Sequence, residues 1–183
     1  MKNEIASPEA QVRAAVGNIL PGSIKLSQIV QIGIVVPSID QTTRLLTSLF
    51  GIGPFRFIEW PNRPDSKYWY RGSEEKIRIQ QAFVQLGAIE VELIQPVEGE
   101  ENEYKKFLDR TGGGIHHALF EVRDIELAIA ELSKSGIGIL QAGTGIRPGT
   151  RWALLDTQAQ LGFLVELRHR PGDSDGASIP DNL

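Results

Sequence analysis

Gly113-Gly114-Ile115-His116-His117-Ala118-Leu119-Phe120-Glu121-Val122 reads as a glycine turn feeding a short apolar strand that opens on a histidine. Asp124 follows as a helix cap, with Ile125, Ala128, Ile129 and Leu132 inward at helical spacing and Gly136 as the stop. The same strand-then-helix plan stands earlier in the chain. Gln31-Ile32-Gly33-Ile34-Val35-Val36 is the strand, Ser38 the cap, Ile39, Leu45, Leu46 and Leu49 the apolar positions, and Gly51 the stop.

The overlay extends beyond those elements. Gln31 falls on His117, an offset of 117 − 31 = 86, and Ser38-Ile39-Asp40 then falls on Asp124-Ile125-Glu126. Gly51-Ile52-Gly53 meets Gly136-Ile137-Gly138 after a one-residue slip, and Val91-Glu92-Leu93 recurs as Val165-Glu166-Leu167. Each copy continues with three more strands: Phe55 to Trp60, Ile77 to Leu86 and Ile89 to Gln95 in the first, and segments around Ile137 to Gln141, Trp152 to Asp156 and Phe163 to Leu167 in the second. Pro61 to Ser73 reads as a long loop or hairpin tip between strands. A duplicated supersecondary unit decides the fold before any local motif does. The expectation is an α+β fold of two paired βαβββ modules, forming a curved, cup-shaped eight-stranded sheet with helices outside.

The boundaries that follow are a helical extension over residues 1–27, a first module over 28–97 and a helical connector over 98–114. A second module then covers 115–170, and a flexible polar tail 171–183. The first of these rests on Ser7-Pro8 as a helix start and on Val12, Ala15, Val16 and Ile19 at helical spacing.

Strand alternation says which side chains face the cup. Ile32, Ile34 and Val36 share the helix-packed face, which turns Gln31 the other way; Ala118, Phe120 and Val122 do the same for His117 and leave His116 on the opposite face. Val91 and Leu93, like Val165 and Leu167, send Glu92 and Glu166 inward. Gln31, Glu92, His117 and Glu166 are therefore the candidate metal ligands. Such an oxygen and nitrogen set suits one divalent ion (Zn, Ni, Co, Mn or Fe) held at roughly 2.0–2.2 Å with positions left for substrate. Glu90 shares the alternation phase of Glu92 and reads as a carboxylate near the rim.

Composition narrows the partners. The 183 residues carry a net charge of −4 and no basic run, which removes the electrostatic argument for nucleic acid. No cysteine is present, so disulfides and thiolate metal sites are excluded. No apolar run approaches the roughly 20 residues of a membrane span. A cytoplasmic protein acting on a small molecule, as a homodimer, is the expectation. Arg147, Arg151 and Trp152, in and beside the loop from Gly143, are candidate substrate-binding residues for an anionic or aromatic group. Trp69, within Tyr68-Trp69-Tyr70, is a further candidate as part of a lid.

These stretches resemble the vicinal oxygen chelate superfamily, which includes glyoxalase I, methylmalonyl-CoA epimerase, extradiol dioxygenases and bleomycin-resistance proteins. The resemblance spans about residues 28 to 170. It is closest to the epimerase branch over Tyr104-Lys105-Lys106-Phe107-Leu108 and Gly114 to Asp124, over Glu92-Leu93-Ile94-Gln95-Pro96, and over Gly149 to Leu155. It implies paired βαβββ modules and a divalent ion bound by one residue from each of the four strands named above. Gln31 stands where epimerases usually carry His, so the ligand set resembles that of animal-type glyoxalase I. Val35 and Pro96 stand where that enzyme has an arginine and an asparagine for glutathione. The strand Ile77-Arg78-Ile79-Gln80-Gln81 carries no acid where the epimerase has its second base.

The implied activity is that of a metal-dependent isomerase or lyase, stabilising an enolate or oxyanion of a small carbonyl or acyl-thioester substrate. Glu166 is the first candidate for the base, and Glu92 the other catalytic carboxylate. The alternatives are a metal-free binding protein of the resistance type, or a variant cyclase, hydrolase or dioxygenase on the same fold.

Overall fold

A computed structural model describes residues 24–99 and 102–172. The expected helix on residues 1–27 lies outside the described residues up to residue 23, and the expected tail does so from residue 173.

The first strand, β1 (Gln31–Val35), runs into helix α1 (Ile39–Phe50). Ser38 caps α1 by accepting from the Gln41 amide at 3.2 Å, and Gly51 closes it in the left-handed region at φ 66°. The inward stripe of α1 is Ile39, Thr43 and Leu46, whereas Leu45 and Leu49, expected inward, are exposed. Strands β2 (Arg56–Trp60), β3 (Tyr68–Tyr70), β4 (Ser73–Glu75), β5 (Ile77–Leu86) and β6 (Ile89–Gly99) follow, then helix α2 (Glu103–Thr111). The second half holds β7 (Gly114–Glu121), α3 (Ile125–Lys134), β8 (Ile139–Thr144), β9 (Arg151–Leu155), the short α4 (Gln158–Leu161) and β10 (Leu164–His169). Asp124 caps α3 by accepting from the Leu127 amide at 2.9 Å, and Ile125 and Ala128 pack inward with Ile129 and Leu132 beside them.

All ten strands form one sheet in the order β2-β5-β6-β1-β7-β10-β9-β8-β3-β4. The halves meet at its centre, where β1 and β7 pair antiparallel. Each also pairs parallel with the last strand of its own half, β1 with β6 and β7 with β10. Helices α1 and α3 cover the convex face through two separate clusters, one around Val36, Ile39, Ala82 and Leu93, the other around Ile125, Ala128, Ala153 and Leu167.

Three expectations change. The sheet has ten strands, not eight, because the long loop after β2 contains the β3–β4 hairpin, and this adds to the far edge by pairing β3 with β8. Helix α2 lies on the concave face, not outside: its Tyr104 and Phe107 join Val35, Ile94, Trp60, Tyr68, Tyr70, Ile77 and Ile79 in a cluster that plugs one end of the cup. His116 does not point to the convex side. The β1–β7 register passes from Gly33↔His117 to Ile34↔Ile115, so His116 is the extra residue of a bulge, and its ring lies against Tyr104 and Phe107.

The β3–β4 hairpin also accounts for the curvature. Flat, the eight spacings from β2 to β3 would span about 38 Å. The chain from Trp60 to Tyr68 reaches at most about 28 Å. The sheet must therefore curl until its ends approach, and Trp60 and Tyr68 do meet edge to face with ring centroids 6.3 Å apart. Tyr68 is 1% exposed, and its hydroxyl donates to Gln141 Oε1 at 2.7 Å. Tyr68→Phe is expected to cost about 1 kcal/mol in urea unfolding. Tyr68→Ala, which opens the closure, is expected to cost about 3–5 kcal/mol; equal losses in the two variants would mean that the ring does not hold the ends together.

Candidate functional site

The site is built from two neighbouring rows of residues across the four central strands. One row reads Glu92, Gly33, His117, Leu164, and the next Glu90, Gln31, Leu119, Glu166. Glu92 and His117 thus flank Gly33, while Gln31 and Glu166 flank Leu119. All four donors are buried, with exposures of 2% for Gln31, 6% for Glu92, 0% for His117 and 6% for Glu166. One chain brings them together without help from a second.

Gly33 is what lets His117 sit there. A Cβ at residue 33 would lie 2.0 Å from His117 Cε1 and 2.3 Å from Nε2. The ring therefore occupies the space of the missing side chain. Its Nδ1 is 3.1 Å from Nδ1 of His116, so one of these nitrogens donates and the other accepts. Its Nε2 is buried with no hydrogen-bond partner, 3.3 Å from Glu166 Oε2 and 4.0 Å from Glu92 Oε2. Gln81 donates to Glu92 Oε1, and Gln31 Nε2 donates to Glu90 Oε1 at 2.7 Å. That second bond leaves the Gln31 carbonyl as the atom it can offer a ligand.

Burial dominates the titration. It raises Glu166 to about 8, helped by the charge of Glu92 and opposed by Arg168. It raises Glu92 to about 7, against the Gln81 hydrogen bond and Arg168. It lowers His117 to about 3, with Arg168 adding to the shift. The 3.3 Å approach of His117 to Glu166 is accordingly a contact between neutral groups near pH 7, not an ion pair. Two carboxyls short of counter-charge and an imidazole nitrogen without a partner have the chemistry of a cation site. Among the described residues, no three His, Cys, Asp or Glu side chains stand as a preformed metal cage.

Gln31, Glu92 and Glu166 line a cavity of about 460 Å³, and His117 lies buried behind that lining. Trp152 and Arg147 line it as expected, Trp152 with its Nε1 donating to Thr144 O at 3.1 Å. Arg151 and Trp69 do not. Arg151 alternates with Trp152 onto the convex face, where it pairs with Glu126 of α3. Trp69 lies between the inward-facing Tyr68 and Tyr70 and opposite Ala142, whose side chain packs on the α3 side. Sequence reasoning missed Tyr104, which reaches the cavity from α2, and Gln81 on β5. Burial, with the charges of Glu166 and Glu92, keeps the Tyr104 phenol protonated far above its usual range. It also missed Arg168 and Arg170, although both continue the alternation that places Glu166.

Gly33→Ala is expected to lose about 2 kcal/mol by overpacking. Gly138→Ala, where a Cβ meets open space, should stay within about 0.5 kcal/mol; urea melts of both decide it. For chelated protein the pH dependence has a definite sign. His117 is neutral in both folded and unfolded chains above pH 6.5, so it contributes stability with rising pH only below that. The folded carboxyls hold protons that unfolded ones release near 4.5, so stability falls as pH rises toward 8. Between pH 6.5 and 8 only the fall remains, on the order of 1 kcal/mol per pH unit. Thermal melts should show it, and Glu166→Gln should flatten it.

Residues 30–153 match the family model of the Glyoxalase/Bleomycin resistance protein/Dioxygenase superfamily. The mitochondrial methylmalonyl-CoA epimerase of Dictyostelium discoideum is 25% identical over 157 residues, 85% of this chain and 85% of that one. Among solved structures, a hypothetical protein from Bacillus halodurans C-125 superposes with a TM-score of 0.61 at 24% identity, over 81% of this chain and 98% of the other. Methylmalonyl-CoA epimerase of Streptomyces coelicolor, in complex with 2-nitronate-propionyl-CoA, gives 0.60 at 23% identity, over 80% and 99%. The structural likenesses carry the fold and the family match carries the kinship: this chain belongs to the Glyoxalase/Bleomycin resistance protein/Dioxygenase superfamily.

Proposed function

We propose that this protein is a metal-dependent isomerase or lyase that moves a proton beside the carbonyl of a small carbonyl or acyl-thioester substrate. The observation that carries the reading is His117 Nε2, buried without a partner between two buried carboxyls. The Dictyostelium and Streptomyces relatives, which are epimerases of an acyl thioester, favour that substrate class.

Gln31, Glu92, His117 and Glu166 would hold one divalent ion, of the class Zn, Ni, Co, Mn or Fe. When bound, the ion supplies positive charge beside an oxygen that gains negative charge as the proton leaves. Glu166 is the base: the charge of a bound ion would favour its carboxylate form over the protonated one that burial alone favours, and that carboxylate would take and return the proton. Glu92, tied by Gln81, stays fixed and balances charge. The Tyr104 phenol is a neutral donor at the plugged end of the cavity. Trp60, Ile77, Ile79 and Trp152 exclude water from one wall and so strengthen each of these interactions.

Gln81 stands beside Glu92 where a second acid would serve two-base epimerisation, so proton return through the one base Glu166 is the preferred course. The enzyme is read as a cytoplasmic homodimer; the exposed Leu49, Phe50 and Phe57, on α1 and on the open edge strand β2, are the surface such pairing would cover.

Metal analysis of purified wild type, His117→Ala and Glu166→Gln tests the reading. Wild type should hold about one ion per chain and the variants at least tenfold less. Wild type should also exchange solvent deuterium into acyl-CoA thioesters or 2-oxo compounds, and Glu166→Gln should not. Equal metal content in all three proteins would reject the proposal.

A further inference from the structure

Strand β10 sends Glu166 and Arg168 to the concave face, Arg170 follows just past its end, and all three line the cavity. Arg56 of β2 and Arg147 of the β8–β9 loop line it as well, facing only Glu90, Glu92 and Glu166 as acids. With Glu121, which pairs with Arg168 and Arg170 from the neighbouring strand, four guanidiniums meet four carboxyls, and two of the guanidiniums share one of them.

Arg168 is the deepest of the cations for which a side-chain exposure separates them. Its side chain is 12% exposed, against 30% for Arg170 and 56% for Arg56. A guanidinium carries five N–H donors. Arg168 commits Nη2 to Glu121 Oε1 at 2.9 Å, while its Nε is buried with no partner among the described residues. Arg170 shares the same Glu121 oxygen at 3.3 Å, so one carboxylate serves two guanidiniums. A guanidinium that lines the cavity, and shares its one carboxylate with a second guanidinium, keeps donor capacity for an acceptor that arrives with the ligand.

We infer that Arg168, supported by Arg170, Arg147 and Arg56, forms an anion subsite that holds a carboxylate or phosphate of the substrate itself. The spacing sets where that group lies. Two residues along a strand put Arg168 about 7 Å from Glu166 at the backbone, so the anion sits within a few bonds of the carbon that Glu166 serves. A remote carrier phosphate would fall beyond that reach, toward Arg170 and the mouth. This deepens the function proposed above and rests on Glu166 as its base; the anion subsite itself needs no metal.

Calorimetric titration of the purified full chain with succinyl-CoA, butyryl-CoA, coenzyme A, free succinate and inorganic phosphate tests it. Succinyl-CoA should bind roughly ten- to a hundred-fold tighter than butyryl-CoA, whose chain lacks only the terminal charge. Arg168→Gln should erase that contrast, Arg168→Lys should keep part of it, and Arg147→Gln, at an exposed loop position, should weaken it without loss of folding. Succinate or phosphate bound in an Arg168-dependent manner with no thioester binding would uphold the subsite while removing the thioester reading. Coenzyme A binding as tightly as succinyl-CoA, with Arg168→Gln weakening both, would place carrier phosphates there and overturn the assignment beside Glu166. Equal affinity for the two thioesters, or no binding by any probe, would overturn it outright.

Discussion

At the seam between the two halves, the imidazole of His117 fills the space that a side chain at residue 33 would need. Gly33 pairs with Glu92 on one side and with His117 on the other, so the empty position lets an acid and an imidazole approach across it. One row along, Leu119 fills the equivalent place, and Gln31 and Glu166 stand apart on either side of it. The bulge at His116 belongs to the same local geometry. It shifts β7 by one residue at the seam, packs a second imidazole against α2, and gives His117 Nδ1 a partner, which leaves Nε2 as the atom turned to the carboxyls.

The price of this arrangement is electrostatic. Three ionisable groups without water each shift toward their neutral forms, the acids upward and His117 downward, with burial the first cause in every case. A cup meant only to hold an apolar ligand would be more stable with hydrocarbon at these positions. Arg168 partly offsets the strain, since its charge opposes the rise in both Glu92 and Glu166. It cannot neutralise the set, because its nearest bonded partner is Glu121 on the neighbouring strand.

The duplicated plan, both capped helices and the inward placement of Gln31, Glu92, His117 and Glu166 were legible from period and capping alone, because each rests on local chemistry. What was not legible depended on distant pairing. Tyr68-Trp69-Tyr70 becomes a strand only because β8 offers an edge, and without that pairing its phase is undefined, so Trp69 could not be told from Tyr68. Arg151 and Trp152 are neighbours, and one step of alternation sends them to opposite faces; a loop reading blurred that step. Helix α2 has no counterpart in the repeat, so nothing in the overlay said which face of the sheet it would cover. Arg168 and Arg170 were within reach of the same alternation that placed Glu166, carried two and four residues further along the chain.

The two rows are related by a pseudo-two-fold at the seam, and their polar side chains differ where that relation fails. Glu92 and Glu166 exchange under it and are identical, since 166 − 92 = 74 and 164 − 90 = 74 carry the closing strands onto each other. Gln31 exchanges with His117, Gly33 with Leu119 and Glu90 with Leu164, and none of these pairs match. A symmetric cup would present the same face to a substrate from either half. Here an imidazole without a partner stands on one side of the seam, and an amide anchored by Glu90 on the other. Glu92 is held by Gln81 while no hydrogen bond to Glu166 is found among the described residues. Of two carboxyls made equivalent by the repeat, Glu166 is therefore the one without a side-chain tether of the Gln81 kind, and Arg168 stands two residues along its strand.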